Sequence, residues 1–161
     1  MAKRNDSDEE KVYNKILRFA TLRPRSEKEI NVWFKRKKIP TKLHERVFNR
    51  LKNLGLVDDK AFASWWIEQR LTFRPKGRRA IFFELRQKGV SEDIIEDVLG
   101  TIGFPQEVEL ARDLVAKKLP RFKDFPVEEK KKKLVGLLVR RGFSWETIRK
   151  AVDVSGEDVV E

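Results

Sequence analysis

The chain has 161 residues (19.0 kDa), 40% of them apolar and 39% charged, with 37 Lys and Arg against 26 Asp and Glu for a formal net charge of +11. This composition excludes a disordered chain, no run approaches the roughly 18 uncharged apolar residues of a membrane span, and the absence of Cys excludes disulfides and thiolate chemistry. The opening MAKRNDSDEE lacks the apolar stretch of a signal peptide, so a cytoplasmic protein without a membrane partner is expected.

The charge is uneven along the chain. Residues 1–57 hold 16 Lys and Arg against 7 acids, 58–104 hold 8 against 8, and 105–161 hold 13 against 11. Clustered cations raise the local concentration of anions and release counterions on binding, which favours nucleic acid or an acidic protein face as partner; a solubilising surface explains the charge equally well.

In chain order, Ser7 to Glu10 reads as a capping box, and Val12, Tyr13, Ile16 and Leu17 form the apolar stripe of a first helix. After the linker LRPRS, Ile30 and Phe34 mark a helix leading to Lys38, Ile39 and Pro40, and a charged helix with His44, Arg46 and Arg50 follows. The next helix is expected at about 59–71, with Asp58 as its N-cap, Val57 stapled onto Phe62, and Phe62 and Trp66 on one face. Ile81, Phe82 and Leu85 line a helix that stops at Gly89, the residue best able to take the left-handed conformation past a helix end. Ser91 caps the helix after it, where Glu92 and Asp93 complement the positive end and Ile94, Ile95, Val98 and Leu99 supply the stripe. Leu110 and Leu114 open a last group, Leu134 and Leu138 lead to Arg141, Gly142, Phe143 and Ser144, and Ile148 and Ala151 close it.

These elements repeat. Ile30, Ile81 and Leu134 stand 51 and 53 residues apart and share one place; Phe34, Leu85 and Leu138 share another; the turn KGVS returns as RGFS. The apolar class persists where a core needs it while the intervening charges change. The pattern predicts an all-α protein of tandem three-helix repeats at 7–57, 58–104 and 105–153, about nine helices stacked into an elongated, curved array.

The segment GLVDDKAFASWWIEQR from Gly55 to Arg70, with Gly77 and then ELRQKGVSEDII from Glu84 to Ile95, resembles the signature of the RecX family of recombination regulators. The matching residues are Gly55, Asp58, Phe62, Ala63, Arg70, Gly77, Leu85, Lys88 and Gly89, in or just before the middle repeat; the outer repeats match by pattern. The first departs at Lys38 and Pro40, where Gly and Ser would stand, and the third has Lys130 in the place of Gly77. The resemblance implies tandem three-helix repeats, binding to the RecA nucleoprotein filament in its helical groove, restraint of ATP hydrolysis, filament growth and strand exchange, and direct contact with single- or double-stranded DNA. A monomer without cofactor is expected.

Candidate contact residues follow from the linkers. LRPRS, FRPKGRR and LPRFKD each join the first and second helix of a repeat, and stacking would line up Arg23, Arg25, Arg74, Lys76, Arg78, Arg79, Arg121 and Lys123 along one edge. Cations just past a helix C-terminus also simply suit the dipole there. FKRKKIPTK adds Lys35, Arg36, Lys37 and Lys38, and Arg70 joins them from the matching segment. EEKKKK, with Lys130 to Lys133, reads instead as the wet face of a helix start. Trp66 reads as core; Trp33, Trp65 and Trp145 lie nearer stripe edges, where packing is the commoner use and base stacking the rarer one.

His44, alone in a charged helix, reads as a surface residue, and with no second His and no Cys a metal site is not expected. No phosphate-cradling glycine loop and no apolar carboxylate pair is present, so an enzyme is not expected. The alternative is a helix-turn-helix protein that reads DNA sequence, with the Gly89 and Gly142 turns in the motif and Arg46 and Arg50 reaching a groove.

Overall fold

A computed structural model describes residues 2–103 and 106–157, with side chains for 6–103 and 106–153. Among the described residues are nine α-helices: α1 (Ala2–Thr21), α2 (Glu27–Arg36), α3 (Thr41–Asn53), α4 (Asp59–Phe73), α5 (Arg78–Gln87), α6 (Glu92–Ile102), α7 (Glu107–Lys118), α8 (Val127–Arg140) and α9 (Trp145–Glu157). A 3-10 helix, Leu119–Phe122, lies between α7 and α8. The fold is all-α, in tandem helix triplets, and the described residues form no strand beyond an isolated parallel bridge between Arg25 and Val57.

Two compact units form, one of Met1–Trp66 with Leu85–Val98, the other of Ile67–Glu84 with Leu99–Glu161. In the first, α1 and α2 both pack on α3, around a core that includes Ile16, Ile30, Phe34, Val47, Leu51 and Val57. In the second, α7 packs chiefly on α9, and Leu114, Leu134, Leu138, Phe143 and Ile148 are buried together. Each of the leucines and isoleucines at zero exposure, such as Ile30, Leu85 and Leu138, contributes about 1.5–3 kcal/mol over its exposed state. Most stripe positions read from the sequence are core positions, while Leu17, Phe82, Ile94 and Leu110 are half-buried.

The turn between the second and third helix has one geometry in all three triplets. Lys38, Gly89 and Gly142 each take positive φ, at +52°, +85° and +77°. The residue after each donates its N–H five positions back: Ile39 to Phe34 at 3.0 Å, Val90 to Leu85 at 3.1 Å, Phe143 to Leu138 at 3.2 Å. This closes the helix in the Schellman manner. In the first triplet a lysine accepts the left-handed conformation that glycine takes in the others, at a cost of about 1 kcal/mol.

Helix starts follow the expected caps in the middle triplet, and Ser144 of the repeated turn caps α9 in the same way. Asp58 Oδ1 accepts from the N–H groups of Lys60 (2.9 Å) and Ala61 (3.0 Å), Ser91 Oγ from Ile94 (3.4 Å), and Ser144 Oγ from Thr147 (3.2 Å). Ser7 does not cap. The polar segment from Ala2 to Asp8 contains no Gly or Pro to stop a helix, so α1 already runs from Ala2 and Ser7 lies within it. The third linker is likewise not an open loop, because Pro120 sits in the first turn of the 3-10 helix.

Two joints connect successive triplets. In the first unit Ser26 Oγ donates to the carbonyl of Lys88 at 2.8 Å, Lys28 Nζ donates to the carbonyl of Gln87 at 3.0 Å, and the N–H of Glu27 donates to Asp59 Oδ1 at 2.9 Å. In the second unit the N–H of Gly77 donates to the carbonyl of Arg141 at 2.8 Å, and the N–H of Arg78 donates to Glu107 Oε1 at 2.7 Å. A linker therefore grips the next triplet's turn, and a carboxylate of the next triplet's first helix caps the helix after that linker. Both contacts are close. A Cβ on Gly77 would lie 2.2 Å from the carbonyl oxygen of Gly142, and one on Gly142 would lie 2.3 Å from Ala80 Cβ.

Candidate polyanion-binding surface

The first linker turns its cations inward. Arg23 pairs with Glu29 at 2.7 Å and lies 5.1 Å from the Trp65 ring centroid. Arg25 is only 9% exposed: its Nε donates to the carbonyl of Phe19 at 2.9 Å and its guanidinium sits 3.7 Å from the Phe19 ring centroid. The backbone bridge to Val57 fixes that placement. Burial, then the neighbouring Arg23 charge, lowers the Arg25 pKa from its ordinary value. Glu29 is opposed by burial, but hydrogen bonds from Arg23 and the Ser26 N–H, with the Arg23 and Lys88 charges, hold its carboxyl below the usual value.

The second linker is divided. Arg70 Nε donates to Glu84 at 2.7 Å and Lys76 pairs with the other oxygen of the same carboxylate, all three side chains being largely buried. Arg78 is half-buried at the joint, with its backbone on Glu107. Arg74 and Arg79 stay exposed, Arg79 lying 5.8 Å from the Phe83 centroid. Lys35, Arg36, Lys37 and Lys38 are all exposed at the end of α2, and so are Arg121 and Lys123.

Around Arg121 the second unit gathers cations that the linker pattern does not reveal. Lys118, Lys132, Lys133 and Arg140 line a cleft of about 420 Å³ with it, over Phe122 and Leu137, and no carboxylate is in the lining. The signal in the sequence is the four-residue spacing of Lys132, Gly136 and Arg140, one face of α8. Half of the Lys130–Lys133 run thus faces a basic cleft rather than only open solvent.

The aromatic residues differ from their stripe assignments. Trp33 is buried, at 9% exposure, whereas Trp66 is half-buried with Lys88 Nζ 5.3 Å from its ring centroid, because the turn after α5 of its own triplet covers it with a polar side chain. Cations also lie over Tyr13 (Arg50) and Phe125 (Lys133), so much of the aromatic surface already has a cationic partner. Trp145 is 62% exposed. His44 is half-buried rather than superficial: its ring stacks on Phe34 at 4.6 Å and its Nε2–H donates to the carbonyl of Ile39 at 2.8 Å. Arg46 pairs with Glu9 at 3.3 Å and Arg50 with Glu10 at 2.6 Å, so the two cations available to a groove-reading helix are tied to α1.

Among the described residues no group of His, Cys, Asp and Glu could hold a metal ion, and no helix is long and apolar enough to cross a membrane.

Tandem three-helix units locked turn to linker define an all-α helical-repeat protein. Residues 58–99 match the model for the second three-helix domain of RecX, and residues 105–152 match that for the third. Regulatory protein RecX of Streptomyces coelicolor is 36% identical over 146 residues, covering 88% of this chain and 78% of that protein. Its counterpart from Prosthecochloris aestuarii is 36% identical over 149 residues, covering 92% and 96%. The crystal structure of RecX from Lactobacillus salivarius superposes with a TM-score of 0.74 at 25% identity, covering 96% of this chain and 99% of that one. A crystal structure of regulatory protein RecX gives 0.78 at 26% identity, covering 94% and 76%.

The chain belongs to the RecX family, and its role is that of a RecX-type regulatory protein.

Proposed function

We propose that this protein binds the RecA nucleoprotein filament and restrains its ATP hydrolysis, extension and strand exchange, with direct contact to DNA phosphates. The observation that carries the reading is the likeness to regulatory protein RecX over 88% of the chain. The surface chemistry supports it. Lys35, Arg36, Lys37 and Lys38 in the first unit, and Arg74, Arg79, Arg121 and Lys123 in the second, are exposed cations suited to a polyanion. Arg23, Arg70, Arg78 and Lys76 act instead by holding the linkers in shape, so they reach a partner only through what they position.

Titration of the protein into DNA-dependent ATP hydrolysis by RecA tests the reading. Hydrolysis is expected to fall as the protein is added. Unchanged hydrolysis from substoichiometric to excess protein would overturn it. Phosphate contact predicts single-strand binding with little base preference and a log–log salt slope of about −0.7 for each phosphate neutralised.

A further inference from the structure

The first unit holds a cleft of about 370 Å³ at its joint, between α2 and the turn after α5. Phe19, Val32 and Trp33 give it an apolar floor, while Lys28, Arg36 and Lys88 give it a basic rim. Glu29 is the one carboxylate in the lining, and it is already engaged by Arg23 at 2.7 Å and by the Ser26 N–H at 3.1 Å.

Arg25 is the unusual member of the wall. It is nine-tenths out of water, yet no carboxylate among the described residues lies within ion-pair distance of it. The nearby carboxylate that favours its charge, Glu29, is already paired with Arg23, and a buried cation with no carboxylate of its own is costly. No described side-chain nitrogen is both buried and unpartnered, so the terminal N–H groups of Arg25 open onto the clefts it lines. An entering oxyanion would complete this guanidinium.

The ring geometry discriminates between anions. One face of Phe19 is covered by Arg25 itself at 3.7 Å, and Trp33 is 9% exposed, so the floor offers no open ring for an unpaired base to stack on. An apolar side chain fits such a floor, and a carboxylate fits the planar fork of an arginine. We propose that this cleft binds an acidic peptide segment, with a carboxylate on Arg25, further carboxylates on Lys28 and Arg36, and an apolar side chain on the floor of Phe19, Val32 and Trp33.

The segment belongs to a partner whichever protein that is, so the proposal stands apart from the filament reading. The test is fluorescence anisotropy of the full chain with a short labelled peptide of alternating Glu and Phe. Lys28→Glu with Arg36→Glu is expected to weaken binding at least about tenfold, a loss of about 1.4 kcal/mol. The control pair Lys11→Glu with Lys15→Glu, exposed on α1 of the same unit, removes equal charge and should leave binding within about twofold. Arg25→Lys keeps the charge and loses the fork; weaker binding with unchanged circular dichroism would support carboxylate recognition. Equal loss in the two pairs, no loss in the cleft pair, or capture of an oligothymidylate in preference to the peptide would each overturn the proposal. RecA hydrolysis is measured separately and decides only the filament reading.

Discussion

At the first joint the carbonyl of Lys88 receives the Ser26 hydroxyl; at the second the carbonyl of Arg141, its counterpart 53 residues on, receives the Gly77 N–H, both at 2.8 Å. The linker residues correspond as well, 51 residues apart. One position on the turn is thus satisfied by a side chain in one unit and by backbone in the other. What is held constant is the acceptor, the carbonyl before the left-handed residue. The donor is free to vary, but each choice has its own weakness. Serine leaves its N–H available for Glu29 and completes a capping box at 3.1 and 3.2 Å, whereas glycine brings two backbones together with no room for any side chain.

That contrast orders the expected effects of substitution. Gly77→Ala should be the most severe, because its Cβ would lie 2.2 Å from a backbone oxygen that cannot rotate away. A loss of about 3 kcal/mol or more, read as a fall in Tm of about 10 °C, is expected. Melting like the parent protein would show that the second joint is looser than its geometry. Ser26→Ala should cost about 1–2 kcal/mol, through the cap and the bond to Lys88. If it matches Gly77→Ala in severity, the two joints are not chemically distinct.

Acid should separate the joints further. The Glu29 carboxyl is held below its ordinary value of 4.5, so its stabilisation is complete above about pH 4.5 and is lost as pH falls through the lower folded value. Its place in the second unit is taken by Ala80, 51 residues on, which cannot titrate. Glu29→Gln is expected to lower stability by about 1 kcal/mol at pH 7 and to flatten the acid limb of a stability profile; an unchanged acid limb would place the sensitivity elsewhere. Lys38→Gly should give the smallest effect, a gain below about 1 kcal/mol in denaturant unfolding, since it relieves the left-handed lysine but loosens the unfolded chain. A loss of stability would show that the lysine side chain makes a compensating contact.

The legible parts of this molecule are those fixed by local periodicity. The stripes of Ile30, Ile81 and Leu134, the stops at Gly89 and Gly142, and the caps at Asp58 and Ser91 each depend on neighbours within one or two helical turns. The inward fate of Arg25 does not. It depends on Phe19 and on a bridge to Val57 that lies 32 residues further on. Trp33 and Trp66 exchange their expected burial for the same reason, since the covering group comes from elsewhere in the chain. The cleft around Arg121 was visible only as a spacing on α8, without the 3-10 helix that brings Lys118 and Phe122 to it. A charge run tells where cations are, not which are already paired.

The left-handed lysine bears on packing as well as on stability. At both joints the first turn of the arriving helix fills the space where a Cβ on the turn glycine would stand, Lys28 Cβ of α2 lying 2.6 Å from that point at Gly89 and Ala80 Cβ of α5 2.3 Å at Gly142. Lys38 occupies the equivalent point with a Cβ of its own. The close packing seen at Gly89 and Gly142 thus has no room to recur in the same form at this turn. The first triplet's turn therefore carries its own side chain at the point where the other two turns receive a neighbour's.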